Sequence, residues 1–142
     1  MDDRETLITA LRDRLQDSEF YRWAGVEVTD ASPGVVEIEF EAGSQHLNLQ
    51  GLVHGGILTT LADTAMGLAV RTALEPGRRH VTVQLGIEFL SPGRTGTIAA
   101  RGRTVKIGTQ LGFAEADVMN ADGRLLARAH STLSVTTEKL PQ

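Results

Sequence analysis

The residues best suited to chemistry are His54-Gly55-Gly56 and, eight positions beyond Gly55, Asp63. Two adjacent glycines let a ligand come close to the backbone. At a helix start they would expose N–H groups that have no intrahelical partner, at the positive end of the helix dipole. That is an oxyanion site of the kind acyl transfer uses. Asp63 lies inside the run Gly56–Ala73 (GILTTLADTAMGLAVRTA), apolar almost all round and therefore read as a buried helix. A carboxylate there must ionise beside donors or keep its proton, since burying it unpaired costs on the order of several kcal/mol. Taken singly, Asp63 could instead bond to backbone groups, and the glycines could simply relieve crowding where loop meets helix.

Geometry separates the two groups. Eight residues of helix put Gly55 and Asp63 roughly 12 Å apart along the axis, whereas a base must come within about 3 Å of its proton or reach it through one water. Two central helices packed antiparallel across a two-fold would set the Gly55 end of one against Asp63 of the other, making two composite sites in a homodimer.

Other chemistries find less support. The chain has no cysteine, which removes disulfides, thiolate metal sites and a Cys nucleophile. Its four histidines are scattered, with no H-E-x-x-H spacing, so no metal site is expected. His46 and His80 read as surface residues and His130 as a packed or solvated strand residue. Ser91-Pro92-Gly93 reads as a turn, and no G-x-S-x-G elbow makes Ser91 a nucleophile.

With 142 residues and 15.3 kDa the chain fits a single domain, 1–142, of ordinary globular composition: 41% apolar and 23% charged. A net charge of −4 argues against a dedicated nucleic-acid binder. The charge is uneven: residues 1–41 hold 11 acids against 4 bases, and residues 42–142 hold 7 against 10. Arg94, Arg101, Arg103, Lys106, Arg124 and Arg128 lie in that second part and read as solvated strand faces, or together as a receptor for a phosphorylated small molecule. No signal-peptide pattern and no apolar run of about 18 residues is present, so neither a membrane segment nor export is expected and the cytoplasm is the default compartment.

The elements that would position the chemistry follow from periodicity. Leu7, Leu11 and Leu15 predict an amphipathic N-terminal helix within residues 1–20; Phe20, Tyr21 and Trp23 read as local core at its end, or as the wall of an acyl pocket. Val26–Thr29 and Val35–Glu41 flank a Ser32-Pro33-Gly34 turn as a hairpin. The central helix, 55–73, ends at Pro76-Gly77. Four strands follow, His80–Leu90, Thr97–Ile107, Gln110–Asn120 and Arg124–Val135, the first with Val81, Val83, Leu85, Ile87 and Phe89 on one face. Short links imply antiparallel pairing. The fold class is α+β: one curved antiparallel sheet wrapped around a long central helix, with an extra N-terminal helix. Its open edges predict a homodimer, extended to a dimer of dimers.

The run Asn48…Gly51…His54-Gly55-Gly56…Leu61-Ala62-Asp63-Thr64-Ala65 resembles the signature of the PaaI-like, hotdog-fold acyl-CoA thioesterases. The likeness continues through Val81-Thr82-Val83, Phe89-Leu90-Ser91-Pro92-Gly93 and Ala127-Arg128-Ala129-His130. It implies that Asp63 is the base or nucleophile and that the Gly55 amide polarises the thioester carbonyl. Asn48 and His54, with Gly56, would shape that pocket, and Thr82 would help hold the water. Phe89, Ser91 and the Val105–Leu111 stretch, including Lys106 and Gly108, would line the coenzyme A channel, with Lys106 or Arg94 meeting phosphates. No cofactor is implied, coenzyme A being part of substrate and product. Two other readings keep the fold: a non-catalytic acyl-CoA-binding or sensing module, which would not need Asp63, and a hydratase acting on acyl thioesters, whose usual His–acid spacing on the helix is not found here.

Overall fold

A computed structural model describes residues 2–137; Met1 and residues 138–142 of the expected 1–142 domain lie outside the described residues. The predicted N-terminal helix over 1–20 is two helices, α1 (Asp3–Gln16) and α2 (Glu19–Ala24). Asp2 caps α1 by accepting from the Glu5 N–H at 2.7 Å. The break comes at Ser18, whose extended backbone and side-chain cap on Tyr21 start a new helix. Leu11 and Leu15 of α1 are buried, as their four-residue spacing requires. Trp23 and Phe20 are not local core: Trp23 is 79% exposed and Phe20 48%. The new helix direction turns both rings outward.

The sheet follows as β1 (Glu27–Ser32), β2 (Val35–Ala42), then β3 (Arg79–Phe89), β4 (Gly96–Ile107), β5 (Leu111–Asn120) and β6 (Leu125–Thr136), with α3 (Gly55–Ala73) between β2 and β3. Its order is β1-β2-β4-β5-β6-β3, antiparallel throughout. It curls around α3, which touches β2 through β6. Ile38, Leu61, Met66, Ile98, Val118 and Leu133 are sealed between them.

Gly102 of β4 sets how closely they approach. A Cβ there would stand 2.2 Å from the Ala65 carbonyl oxygen, so the α3 backbone rests directly on the strand. That contact lies two residues from Asp63 and fixes its height above the sheet.

β3, the far edge strand, departs from the simple alternation. A β-bulge at Val83 shifts its register against β6 between Thr82 and Gln84, and one extra residue reverses which side chains face inward. His80 and Thr82 therefore share the inner face with their β6 partners Val135 and Leu133, and Leu85, Ile87 and Phe89 are inward again beyond the bulge. Val81 (47% exposed) and Val83 (59%) point away from the core instead of joining that face.

Candidate active site

Of the first three amides of α3, two are already bonded. Gly56 N–H donates to His54 Nδ1 at 2.8 Å, and Ile57 N–H to the His54 carbonyl at 2.9 Å. The Gly55 N–H has no hydrogen-bond partner among the described residues. His54 thus caps the helix with its ring and carbonyl and leaves Gly55 as the one open donor of the turn. With Nδ1 accepting, the neutral ring carries its proton on Nε2.

Asn48 stands beside that donor and holds its own loop. Its Oδ1 accepts from Gln50 N–H at 2.9 Å and Leu52 N–H at 3.1 Å, and its N–H donates to the Leu52 carbonyl at 2.7 Å. The carboxamide oxygen is thereby spent on the turn, and the Nδ2 group makes no hydrogen bond among the described residues. Phe89 closes the other side, its Cζ lying 3.1 Å from where a Gly55 Cβ would be. Asn48, Gly55, Phe89 and Ser91 line one cavity of about 370 Å³. Five sequence-derived candidates, Asn48, His54, Gly55, Phe89 and Ser91, therefore gather at the start of α3, with Gly56 bonded into its cap.

The carboxylate lies further along the helix. Thr82 Oγ1 donates to Asp63 Oδ1 at 2.9 Å, and the Asp63 carboxylate makes no other hydrogen bond among the described residues. It is half-buried within the single chain rather than sealed. His80 comes to the same place, its Cε1 3.5 Å from where a Gly67 Cβ would stand. Helix and strand spacings match there: Asp63 and Gly67 are roughly 6 Å apart along α3, and Thr82 and His80 roughly 6.8 Å along β3. His80 is thus not a surface residue. Burial pushes its imidazole below the ordinary histidine range, Arg71 and Arg14 push it the same way, and Asp63 opposes them. The expected alternation of valines hid this inward histidine; its two-residue spacing from Thr82 was the available signal. His46 is also half-buried, its ring edge-on to Phe40 at 4.6 Å and its Nδ1 accepting from Gly43 N–H at 2.9 Å.

Lys106 and Gly108 are not with Phe89 and Ser91. Gly108 N–H bonds the Leu111 carbonyl at 2.7 Å, Leu111 registers with Ser134, and Ser134 with Val81. That hairpin therefore lies at the Asp63–Thr82 end of the sheet, where Arg78 Nη2 holds the Thr109 carbonyl at 2.9 Å.

A cavity of about 650 Å³ lies on the outer face of the sheet and is lined by Arg101, Arg103, Glu115, Asp117, Arg128 and His130. Across the strands Glu37, Arg101, Asp117, Arg128 and Glu88 form a register row alternating acid and base. Arg128 Nε meets Asp117 Oδ1 at 2.9 Å, which raises the arginine's affinity for its proton, and Arg103 pairs with Glu115. Acids pair with two of these bases, Arg103 and Arg128, while Arg94 and Arg124 line a separate cavity by the β4 start, so the six do not converge on one receptor.

Comparison with known proteins identifies the chain's relatives. The thioesterase superfamily matches residues 50–127, more than half of the chain. A provisionally named esterase of Halobacterium salinarum is 39% identical over 123 residues, covering 83% of this chain and 79% of that protein. Human acyl-coenzyme A thioesterase 13 is 32% identical over 109 residues, covering 75% and 77%. The E. coli PaaI protein from the phenylacetic acid degradation operon superposes with a TM-score of 0.84 over 94% of this chain and 95% of that one, at 22% identity, a likeness of fold. A chain with this curled sheet, this central helix and these relatives belongs to the thioesterase superfamily, a thioester hydrolase with the hotdog fold that PaaI shares.

Proposed function

We propose that the protein hydrolyses acyl-coenzyme A thioesters at composite sites formed by two antiparallel copies. The observation that carries this reading is the division of labour along α3: an unpartnered Gly55 amide at its start, and a carboxylate with one oxygen held by Thr82 roughly 12 Å away. A two-fold axis near the middle of that span brings the Gly55 amide of one copy to Asp63 of the other. Two surfaces support the pairing. β3 is an 11-residue edge strand with no neighbour beyond it among the described residues, a feature proteins normally cover. Along α3, Gly56, Thr60, Asp63 and Gly67 recur at helical spacing as a row of short side chains.

The steps then follow. The Gly55 N–H binds the carbonyl oxygen, and the negative charge that develops there strengthens the bond. Asp63 takes a proton from water as the water oxygen attacks the carbonyl carbon. The tetrahedral intermediate collapses with cleavage of the C–S bond, and the proton returns to the thiolate, giving a carboxylic acid and free coenzyme A. Asp63 is equally placed to attack directly, in which case water resolves the resulting anhydride. Acyl-coenzyme A as substrate rests on the named activity of the human relative.

The test is coenzyme A release, read with a thiol-reactive dye over aryl and straight-chain acyl-CoAs, for the wild type and Asp63→Asn. The protein has no thiol of its own to react. Loss of turnover by at least about a thousandfold with unchanged fold and mass supports the assignment; an Asp63→Asn protein that still turns over normally removes Asp63 from the mechanism.

A further inference from the structure

Asp63, Gly67 and Arg71 follow one another at four-residue spacing on α3, so one face of the helix carries an acid, a gap and a base. His80 of β3 lies over the gap, its Cε1 3.5 Å from where a Gly67 Cβ would stand. Each charged residue is therefore one helical turn to either side, roughly 6 Å along the axis. The imidazole is half-buried and makes no hydrogen bond among the described residues. Arg71 is fixed in place, its Nη1 donating to the Arg78 carbonyl at 2.6 Å. Asp63 has one oxygen on Thr82, and its other oxygen accepts no hydrogen bond among the described residues.

We propose, resting on the thioesterase reading, that His80 is a positioning residue whose protonation takes Asp63 out of the reaction. The neutral ring carries no charge to hold a carboxylate, so the free oxygen of Asp63 is left to the water. The protonated ring stands between a cation that repels it and an anion that attracts it. Gly67 puts no side chain in the way of a swing toward Asp63. A charge-assisted hydrogen bond from the imidazolium then occupies the free oxygen, with Thr82 on the other. A carboxylate bonded at both oxygens gives up its lone pairs less readily and is a poorer base or nucleophile. The surroundings set when this happens. Arg71 of α3 and Arg14 of α1 face the ring with like charge, Arg79 precedes it in β3, Asp63 is the opposing acid, and its β6 partner Val135 is apolar. Together with burial they keep the ring neutral near pH 7 and let it charge on acidification.

The proton can be read where it binds. In the wild type and in Asp63→Asn, the Cε1–H resonance of His80 is followed by NMR between pH 5 and pH 8.5. Loss of the carboxylate should weaken proton binding at His80 about tenfold; the same titration in both proteins overturns the proposal. This readout needs no turnover, so a coupled His80 in a protein that hydrolyses no acyl-CoA keeps the pairing and discards the hydrolysis. In the active enzyme, coenzyme A release is measured over the same pH range. Wild-type kcat should fall on acidification with the midpoint of the His80 titration, while KM changes little. His80→Gln, which cannot charge, should hold its turnover to lower pH. At pH 5 it should keep about threefold more of its pH 8 rate than the wild type keeps. A fall with the same midpoint in both proteins overturns the proposal by leaving the imidazole a packing role alone. A fall displaced to higher pH in His80→Gln overturns it too, by making the neutral ring itself a base.

Discussion

Thr82 Oγ1 donates a hydrogen bond of 2.9 Å to Asp63 Oδ1, joining the edge strand to the middle of the central helix. The bond exists because the bulge at Val83 reverses the strand's alternation. Without it, a strand continuing inward from Leu85 would turn Val83 and Val81 toward α3 and Thr82 toward solvent. The bulge therefore places a donor where a regular strand would place a valine. It fixes one oxygen of the carboxylate and leaves the other available to a reactant.

Removing that donor should change rate more than affinity. Thr82→Val keeps the shape of the side chain and deletes the hydroxyl, freeing the Asp63 carboxylate to rotate. A hydrogen bond to a charged group is worth about 1.5–3 kcal/mol, so kcat should fall roughly ten- to a hundredfold with KM little changed, and Thr82→Ser should restore most of it. Steady-state coenzyme A release checks both variants, and an unaltered kcat in Thr82→Val would mean that Asp63 needs no orienting partner.

The shared site can be tested by complementation. Gly55→Pro removes the one open amide while suiting the first position of a helix, where the missing N–H costs no intrahelical bond; Phe89, half exposed, can swing from the added ring. Gly55→Pro and Asp63→Asn should each be inactive. Unfolded together in equal amounts and refolded, half of the dimers would be mixed and each would hold one intact composite site, so about a quarter of wild-type activity should return. Sites completed within one chain would give no recovery.

Periodicity and turn chemistry made most of the fold legible. Gly34 at the first hairpin, the Asp122-Gly123 turn and the apolar run of α3 each occur where the backbone needs them. Asp63 and Gly55 were visible as a carboxylate out of place in an apolar helix and a glycine pair at its start. What local pattern could not carry was any feature that one extra residue or one cap decides. The Val83 bulge is invisible in a run of alternating valines, so His80 was placed on the surface. The Ser18 cap starts a second short helix beyond the last leucine of α1 and turns Trp23 out of the core that the sequence pattern assigns it. His54 Nδ1 takes the Gly56 amide rather than a substrate, a choice only the folded turn reveals.

Gly102→Ala should be among the most damaging small substitutions in the chain. The new methyl would stand 2.2 Å from the Ala65 oxygen and 2.7 Å from the Met66 nitrogen, and both are helix backbone that cannot move aside alone. Overpacking of this kind costs about 3 kcal/mol, which for a domain of this size lowers Tm by about 10 °C. Thermal unfolding by circular dichroism checks it. A loss of activity larger than the loss of folded protein would further show that α3 had lifted Asp63 away from its place over the sheet.

His80 gives the fold a pH dependence of known sign. Arg71 of α3, Arg14 of α1 and its chain neighbour Arg79 supply positive charge around it, Asp63 of α3 is the opposing acid, and its β6 partner is the apolar Val135. Burial, with Arg71 and Arg14, holds its pKa in the folded protein below the ordinary 6.5. Between those two values the unfolded chain binds a proton that the folded chain does not, so stability rises with pH across that window. The contribution is fully present above about pH 6.5 and is lost as the pH falls through the folded value, with a slope of at most about 1.4 kcal/mol per pH unit. His80→Gln fills the same space without titrating. Subtracting its unfolding free energies from those of the wild type between pH 8 and pH 5 cancels every other group. The difference should be flat above pH 6.5 and turn against the wild type below it. A difference that stays flat, or that favours the wild type on acidification, would mean that His80 is solvated or is held in its charged form by Asp63.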